Sequence, residues 1–404
     1  MRLRNIAQRH SLLVIVLAQL CGTSLWFSIN GVWLSLSRDL GLSESDLGSL
    51  TLSVQAGFIT GTLAIAITGL ADRYRASYIF ACSSLLGALM NAGFVLTASS
   101  PPFDLVMRFL TGLCLAGIYP LGMKLVIGWT PKHTGTALAW LVGMLTLGTA
   151  MPHLLRGITP GLPWQWPLLG SSALALLGGM MILFLGDGPH LPVSTAKTRL
   201  RTGLAGLRSP RFRAVAGGYF GHCWELYAFW TLTPLLITRE VLRMQASPTT
   251  IPLLSFLVIG LGFFGCIWGG KLSRRFGSEW VANGSLAISG IICLAYPFLP
   301  WAPPGTLLFL LALWGITVIA DSPQFSALAA AAAPREFVGA SLAVMNAIGF
   351  ALTLPAIWIT SNLWESQGAW VTLWLLPGPV LGLWSMRRLS KLKTDKPGLH
   401  IPGK

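Results

Sequence analysis

"GLCLAGIYP" (residues 112–120) and "GITVIADSP" (residues 315–323) are two short pieces of the same chain. Gly112 and Gly315 are separated by 203 positions, and so are Pro120 and Pro323. The segments that follow, "PKHTGTALA" from Pro131 and "PREFVGASLA" from Pro334, keep that offset of 203. A third match lies upstream, where "TGLADRYR" (residues 68–75) precedes "GKLSRRFG" (residues 270–277) by about 202. Three places agreeing on one offset, near half of 404 residues, indicate an internal duplication.

The composition sets the medium in which the duplicated unit folds. The chain is 53% hydrophobic and 10% charged, with a mean hydropathy of +0.67. Soluble domains carry about 25% charged residues, so an ordinary soluble domain is excluded. Apolar runs of about 20 residues read as membrane helices. Twelve are expected, near 11–36, 47–71, 77–98, 102–125, 134–158, 165–186, 213–238, 248–272, 279–300, 304–327, 337–362 and 368–386. The first run is too long for a signal-peptide core and is read as a retained span.

The net charge of +15 has a topological reading. Arg2, Arg4, Arg9, Arg73, Arg75, Lys124, Lys132, Lys197, Lys271, Arg335 and the tail "RRLSKLKTDK" fall in alternate breaks. The opposite breaks hold Arg38, Arg156, Arg239 and Arg243, accompanied by Asp39, Glu44, Asp46, Asp104, Glu240 and Glu365. This asymmetry places both termini in the cytoplasm and a multi-pass protein in the inner membrane. It is not a nucleic-acid footprint, because no basic–aromatic binding motif accompanies it. Residues 1–186 and 213–386 then form two six-helix bundles, joined by a basic cytoplasmic linker, 187–212, and followed by a tail, 387–404. The six cysteines fall in apolar runs without CxxC spacing and read as small core residues. No P-loop, HExxH or G-x-S-x-G occurs, so neither an ATP-driven pump nor an enzyme is expected, and no cofactor or metal.

With Leu70, Ala71, Asp72 and Arg73 in the link after span 2, the chain resembles the major facilitator superfamily. Gly270, Leu272, Arg275 and Gly277 repeat part of that motif, and Arg108 with Gly112 resembles the family's span-4 pattern. The resemblance implies two bundles, related by a pseudo-twofold axis, that rock about a central site. Thr68 and Arg75 replace the usual glycines, and span 5 lacks the Gly-Pro pair frequent in drug/proton antiporters.

Ionisable groups inside spans are costly and default to functional candidates. In "GGYFGHCWELYAFW" (residues 217–230), Glu225 lies at mid-depth of span 7, with His222 at i−3 on the same face. Keeping Glu225 neutral by a proton costs far less than burying its charge, so it is the leading proton-coupling candidate, tuned by His222. The alternative is a structural lock, with Glu225 paired to His222 or to an arginine. Asp321 is a second protonation candidate, or else a partner of Arg274 or Arg275. Arg108 either attracts an anionic substrate or pairs with Asp104 at i−4. His153 and Arg156 share a face near the outer end of span 5, where Arg156 reads as snorkelling to the interface. Gln19, Asn30 and Asn346 are the cavity candidates among the uncharged polar residues, which also include Gln55, Asn91 and Gln324. Trp224, Tyr227, Trp26 and Trp230 offer a stacking wall for a planar ligand, or simple packing. Asp72, Arg73, Arg274 and Arg275 are expected to gate by latching the cytoplasmic ends together.

The expected activity is therefore secondary active transport of a small organic solute, coupled to protons, by a monomer in the bilayer. Efflux by proton exchange is the first reading. Uptake of a small anion or metabolite is the second, and a non-transporting receptor or scaffold is the third.

Overall fold

A computed structural model describes residues 7–131, 134–190, 204–334 and 338–394. Arg2, Arg4, Lys132, Lys197, Arg199, Arg201, Arg335, Lys396 and Lys404 lie outside them. Every element among the described residues is helical. In a bilayer this follows from the need to satisfy each backbone N–H and C=O within the segment itself.

The spanning elements are α1 Ser11–Leu40, α2 Glu44–Thr68, α3 Ala76–Thr97, α4 Phe103–Trp129, α5 Thr134–Ile158 and α6 Gln165–Leu185. The second half holds α7 Pro210–Arg243, α8 Thr250–Phe276, α9 Ser278–Phe298, α10 Pro304–Ala332, α11 Val338–Gln367 and α12 Pro377–Thr394. α7 extends past both expected limits and begins at a Ser209 cap whose hydroxyl accepts from the Phe212 N–H. The expected last span is divided, with 3₁₀ turns over Gly368–Trp374 before α12. α2 starts at a capping box, in which Ser43 N donates to Asp46 Oδ2 at 2.8 Å. It ends where Gly69 takes a left-handed φ of 65°, which only glycine adopts freely.

The duplication is visible as packing. A Cβ on Gly112 would collide with the backbone oxygen of Val54, and one on Gly315 with that of Val258. Thus α4 crosses α2 in the first half as α10 crosses α8 in the second, each through a glycine that lets two backbones touch. Both crossing helices are interrupted just beyond, α4 between Leu115 and Tyr119 and α10 at Asp321. α1 is also interrupted, between Thr23 and Ser28, whereas its counterpart α7 is continuous.

The two halves meet along α2 with α11 and α5 with α8. Along the second pair, Gly157 abuts Leu253 near one end, and Trp140 packs edge-on against Phe263 at 5.5 Å toward the other. Of the six cysteines, five are buried as expected, and Cys82 on α3 is exposed.

Candidate functional site

The interruption in α1 brings Trp26 and Phe27 to the boundary between the halves. Trp26 lies 5.5 Å from Tyr227 and 6.4 Å from Phe350, and Phe27 lies 5.9 Å from Trp230 in an edge contact. Phe58 on α2 completes the group, 4.8 Å from Phe350. All six rings are buried, with rings from α1 and α2 facing rings from α7 and α11. Trp26 is anchored by its indole N–H, which donates to Gln55 Oε1 at 3.1 Å. Of the expected stacking wall, Trp26, Tyr227 and Trp230 are here. Trp224 is not: it turns to the outer side of its own half, donating to the Trp374 carbonyl at 2.9 Å and packing on Gly378 of α12. Phe58 and Phe350 carry no polar atom and were invisible to a search for polar groups in apolar runs.

Toward one end of this aromatic seam lies a cavity of about 180 Å³ between the halves. α1 and α5 supply Asn30, Arg38, His153 and Arg156, while Pro234 on α7 and Ser255 on α8 close it from the other half. His153 is 1% exposed, and its Nε2 has no hydrogen-bond partner. Asn30 Nδ2 donates to Thr51 Oγ1 at 3.3 Å. Asn30 and His153, both named as cavity candidates from the sequence, line this cavity. Arg156, read from the sequence as snorkelling to the interface, and Arg38, read as a charge in a break between spans, also line the cavity.

Arg108 takes neither of its expected roles. It is 1% exposed, and no carboxylate lies within ion-pair distance of it among the described residues. Its Nη1 donates to Ser28 Oγ at 3.1 Å and Asn91 Oδ1 at 2.9 Å, and its Nη2 to the carbonyls of Leu25 at 3.3 Å and Trp26 at 2.8 Å. Those carbonyls lie in the α1 interruption and lack helical partners. A guanidinium fork satisfies both sides of the break at once. Asp104 instead accepts from the Leu105 N–H.

The acids of the second half are also paired otherwise than expected. Glu225 is 1% exposed and reaches α9 and α10 rather than His222. Its Oε2 accepts from Ser289 Oγ at 2.9 Å, and its Oε1 from Trp314 Nε1 at 2.6 Å and Cys293 Sγ at 3.3 Å. Among the described residues, three neutral donors and no cation hold it. His222 Nδ1 lies 2.7 Å from Asp321 Oδ1, with both side chains almost fully buried. Asp321 therefore does not pair with Arg274 or Arg275, which form no ion pair among the described residues. It sits at the α10 interruption, where the helix axis breaks before Pro323.

Gln19 is fully buried against Gly122 of α4, with both amide atoms unpartnered. Asn346 is half-buried on α11. Asp72 pairs with Lys124 of the same half at 3.3 Å, and Arg73 stays exposed, so among the described residues no ion pair at this end joins one half to the other. Glu240 was missed as a buried group. Arg239 and Arg243 hold it at 3.1 and 2.6 Å, and Tyr296 Oη donates to it at 2.9 Å. The Glu-x-x-Arg spacing of residues 240 and 243 was the available signal.

The pattern of the Major Facilitator Superfamily matches residues 15–357. Among solved structures, a D-xylose-proton symporter superposes with a TM-score of 0.72 at 16% identity, covering 94% of this chain and 96% of that one. A bacterial homologue of the human lysosomal transporter Spinster, inward-facing and occupied, gives 0.67 at 16% identity, covering 96% and 97%. Two curated relatives are similar over shorter stretches. The 4-hydroxybenzoate transporter PcaK of Pseudomonas aeruginosa is 27% identical over 157 residues, 37% of this chain and 32% of that protein. The niacin transporter NiaP of Acinetobacter baylyi is 31% identical over 130 residues, 30% of this chain and 29% of that protein. The chain thus spans about a third of the length of each curated relative it matches. Matched by the family's pattern over most of its length, and sharing its fold with solved structures over nearly the whole chain, the chain belongs to the Major Facilitator Superfamily.

Proposed function

We propose that this transporter takes up a small planar organic solute across the cytoplasmic membrane in step with protons. The observation that carries the reading is the aromatic seam, in which rings of both halves meet at the bundle boundary. Parting those rings opens a slot whose walls are flat and polarizable, the surface a planar ligand stacks on. The two curated relatives are named for 4-hydroxybenzoate and niacin, both single-ring compounds, which supports the same choice. By the charge asymmetry of the sequence, the end with Asp72 and Lys124 faces the cytoplasm and the cavity with Arg38 and Arg156 faces outward. An outward basic vestibule favours uptake over the efflux reading.

For proton coupling the leading site is the His222–Asp321 pair. It joins the continuous α7 to the interrupted α10, so its protonation state bears on a joint that can move. Glu225, closed in by three donors and absent from the cavity lining, is the second candidate. The test is uptake of labelled benzoate or nicotinate into proteoliposomes under an imposed pH gradient. Accumulation with the outside acidic, accompanied by proton entry, supports the reading. Accumulation only with the gradient reversed supports proton-exchange efflux and defeats it, and a scaffold would move neither solute nor protons.

A further inference from the structure

We propose that the cavity beside His153 is a recognition site for the carboxylate of a small organic acid, met before the solute reaches the aromatic seam. This deepens the uptake reading and rests on it for the identity of the occupant as substrate. Four features argue for it. The lining holds two arginines and a histidine but no aspartate or glutamate, so its fixed charge suits an anion. His153 is buried with Nε2 unpartnered, and a buried polar atom without a partner is costly unless a ligand serves it. The opposite wall contains Pro234, Pro252 and Ile251, which are apolar and fit a hydrocarbon body rather than a bare inorganic anion. The cavity of about 180 Å³ is below the ~300 Å³ lower end of drug-sized pockets, which restricts the occupant to one ring or a short chain.

The electrostatic surroundings leave the arginines available. One Nη of Arg156 donates to the Leu162 carbonyl at 2.6 Å. Asp39 acts on Arg156 electrostatically, yet it forms no ion pair with it among the described residues and does not line the cavity. The nearby Glu240 is already held by Arg239, Arg243 and Tyr296. A carboxylate entering here meets the planar fork of an arginine, the geometry that binds it through two N–H donors, with the imidazole as a third donor. Because α1 and α5 line one side and α7 and α8 the other, the occupant touches both halves, and its binding energy can bias their relative arrangement.

The experiment uses the purified full-length protein in detergent, with benzoate, benzamide and inorganic phosphate as probes, read by thermal shift and calorimetry. Benzoate is expected to stabilise the protein, while benzamide and phosphate do not. Arg38→Gln combined with Arg156→Gln, at an exposed and a half-buried position, is expected to weaken benzoate at least tenfold, with lysine at both positions restoring part of the loss. Equal binding of benzamide, equal binding of phosphate, or unchanged benzoate affinity in the double variant would each overturn the site. Benzoate binding by these residues without uptake at any pH gradient supports the site while sinking the transport reading. Proton-driven uptake that ignores the carboxylate overturns the site and leaves transport standing.

Discussion

Replacing Arg108 by lysine keeps the charge and most of the stem, yet it should destabilise the protein markedly. The guanidinium serves four acceptors from two nitrogens, Ser28 Oγ and Asn91 Oδ1 on one, and the Leu25 and Trp26 carbonyls on the other. A single ammonium cannot occupy both positions, so two charge-assisted bonds are lost, at about 1.5–3 kcal/mol each. Ser28 Oγ lies 2.6 Å from Asn91 Oδ1 and 3.1 Å from the Leu25 carbonyl, and its single proton softens the loss at one of those two acceptors. The expected cost is about 2–4 kcal/mol. Arg108→Met removes all four bonds but also removes a buried charge whose desolvation opposes folding by several kcal/mol, and it strands the Trp26 carbonyl together with whichever of Asn91 Oδ1 and the Leu25 carbonyl the single Ser28 proton does not serve. Methionine should therefore be no worse than lysine, an order opposite to that of chemical similarity. Chemical or thermal unfolding in detergent, followed by tryptophan fluorescence, measures it. A lysine variant as stable as the parent, or one that keeps its stability and loses solute binding, would show that Arg108 serves the substrate and not the α1 break.

Asp321→Asn is expected to abolish accumulation driven by a pH gradient while leaving counterflow of solute intact. Glu225→Gln, whose amide can keep the Trp314 bond, should retain most gradient-driven uptake, and the reverse pattern in flux assays would transfer the proton to Glu225. Phe350→Ala, which removes contacts to Trp26, Phe58 and Tyr227, should weaken binding of a single-ring solute by roughly 1–2 kcal/mol, about tenfold, when measured by calorimetry. Gly112→Ala should sharply reduce the folded fraction in size-exclusion profiles, because its Cβ meets the Val54 backbone, whereas Gly284→Ala, with nothing within 4 Å, should not.

The spans and the duplication were legible because hydropathy and spacing are local properties, and Gly112 and Gly315 mark equivalent crossings in sequence as in space. The α10 interruption has a local signal in Pro323, two residues beyond Asp321, which supplies no backbone N–H to continue the helix. The α1 interruption was not. "TSLWFS" (residues 23–28) contains no proline or glycine, and its break is stabilised from elsewhere, by Arg108 on α4 and Asn91 on α3. For the same reason Arg108 read as a substrate group: two of its four acceptors are backbone carbonyls about 80 positions away. Glu225 and His222 share a helical face at i−3, but that spacing could not reveal that each would turn to a different neighbour. Asn30 and His153 were placed by their polarity in apolar context. Arg38 entered the sequence reading only as a charge in a break between spans, and spacing along the chain does not show that it reaches a cavity shared with His153.

The seam and the vestibule differ in what holds them. Phe27, Phe58, Tyr227 and Phe350 meet through ring contacts, while Arg38 and Arg156 offer charge. Dissolved electrolyte screens the second and not the first. Raising ionic strength should therefore slow capture of an anion from dilute solution while leaving the rate at which the two halves come apart untouched, so one salt titration separates the first step of the cycle from the rest.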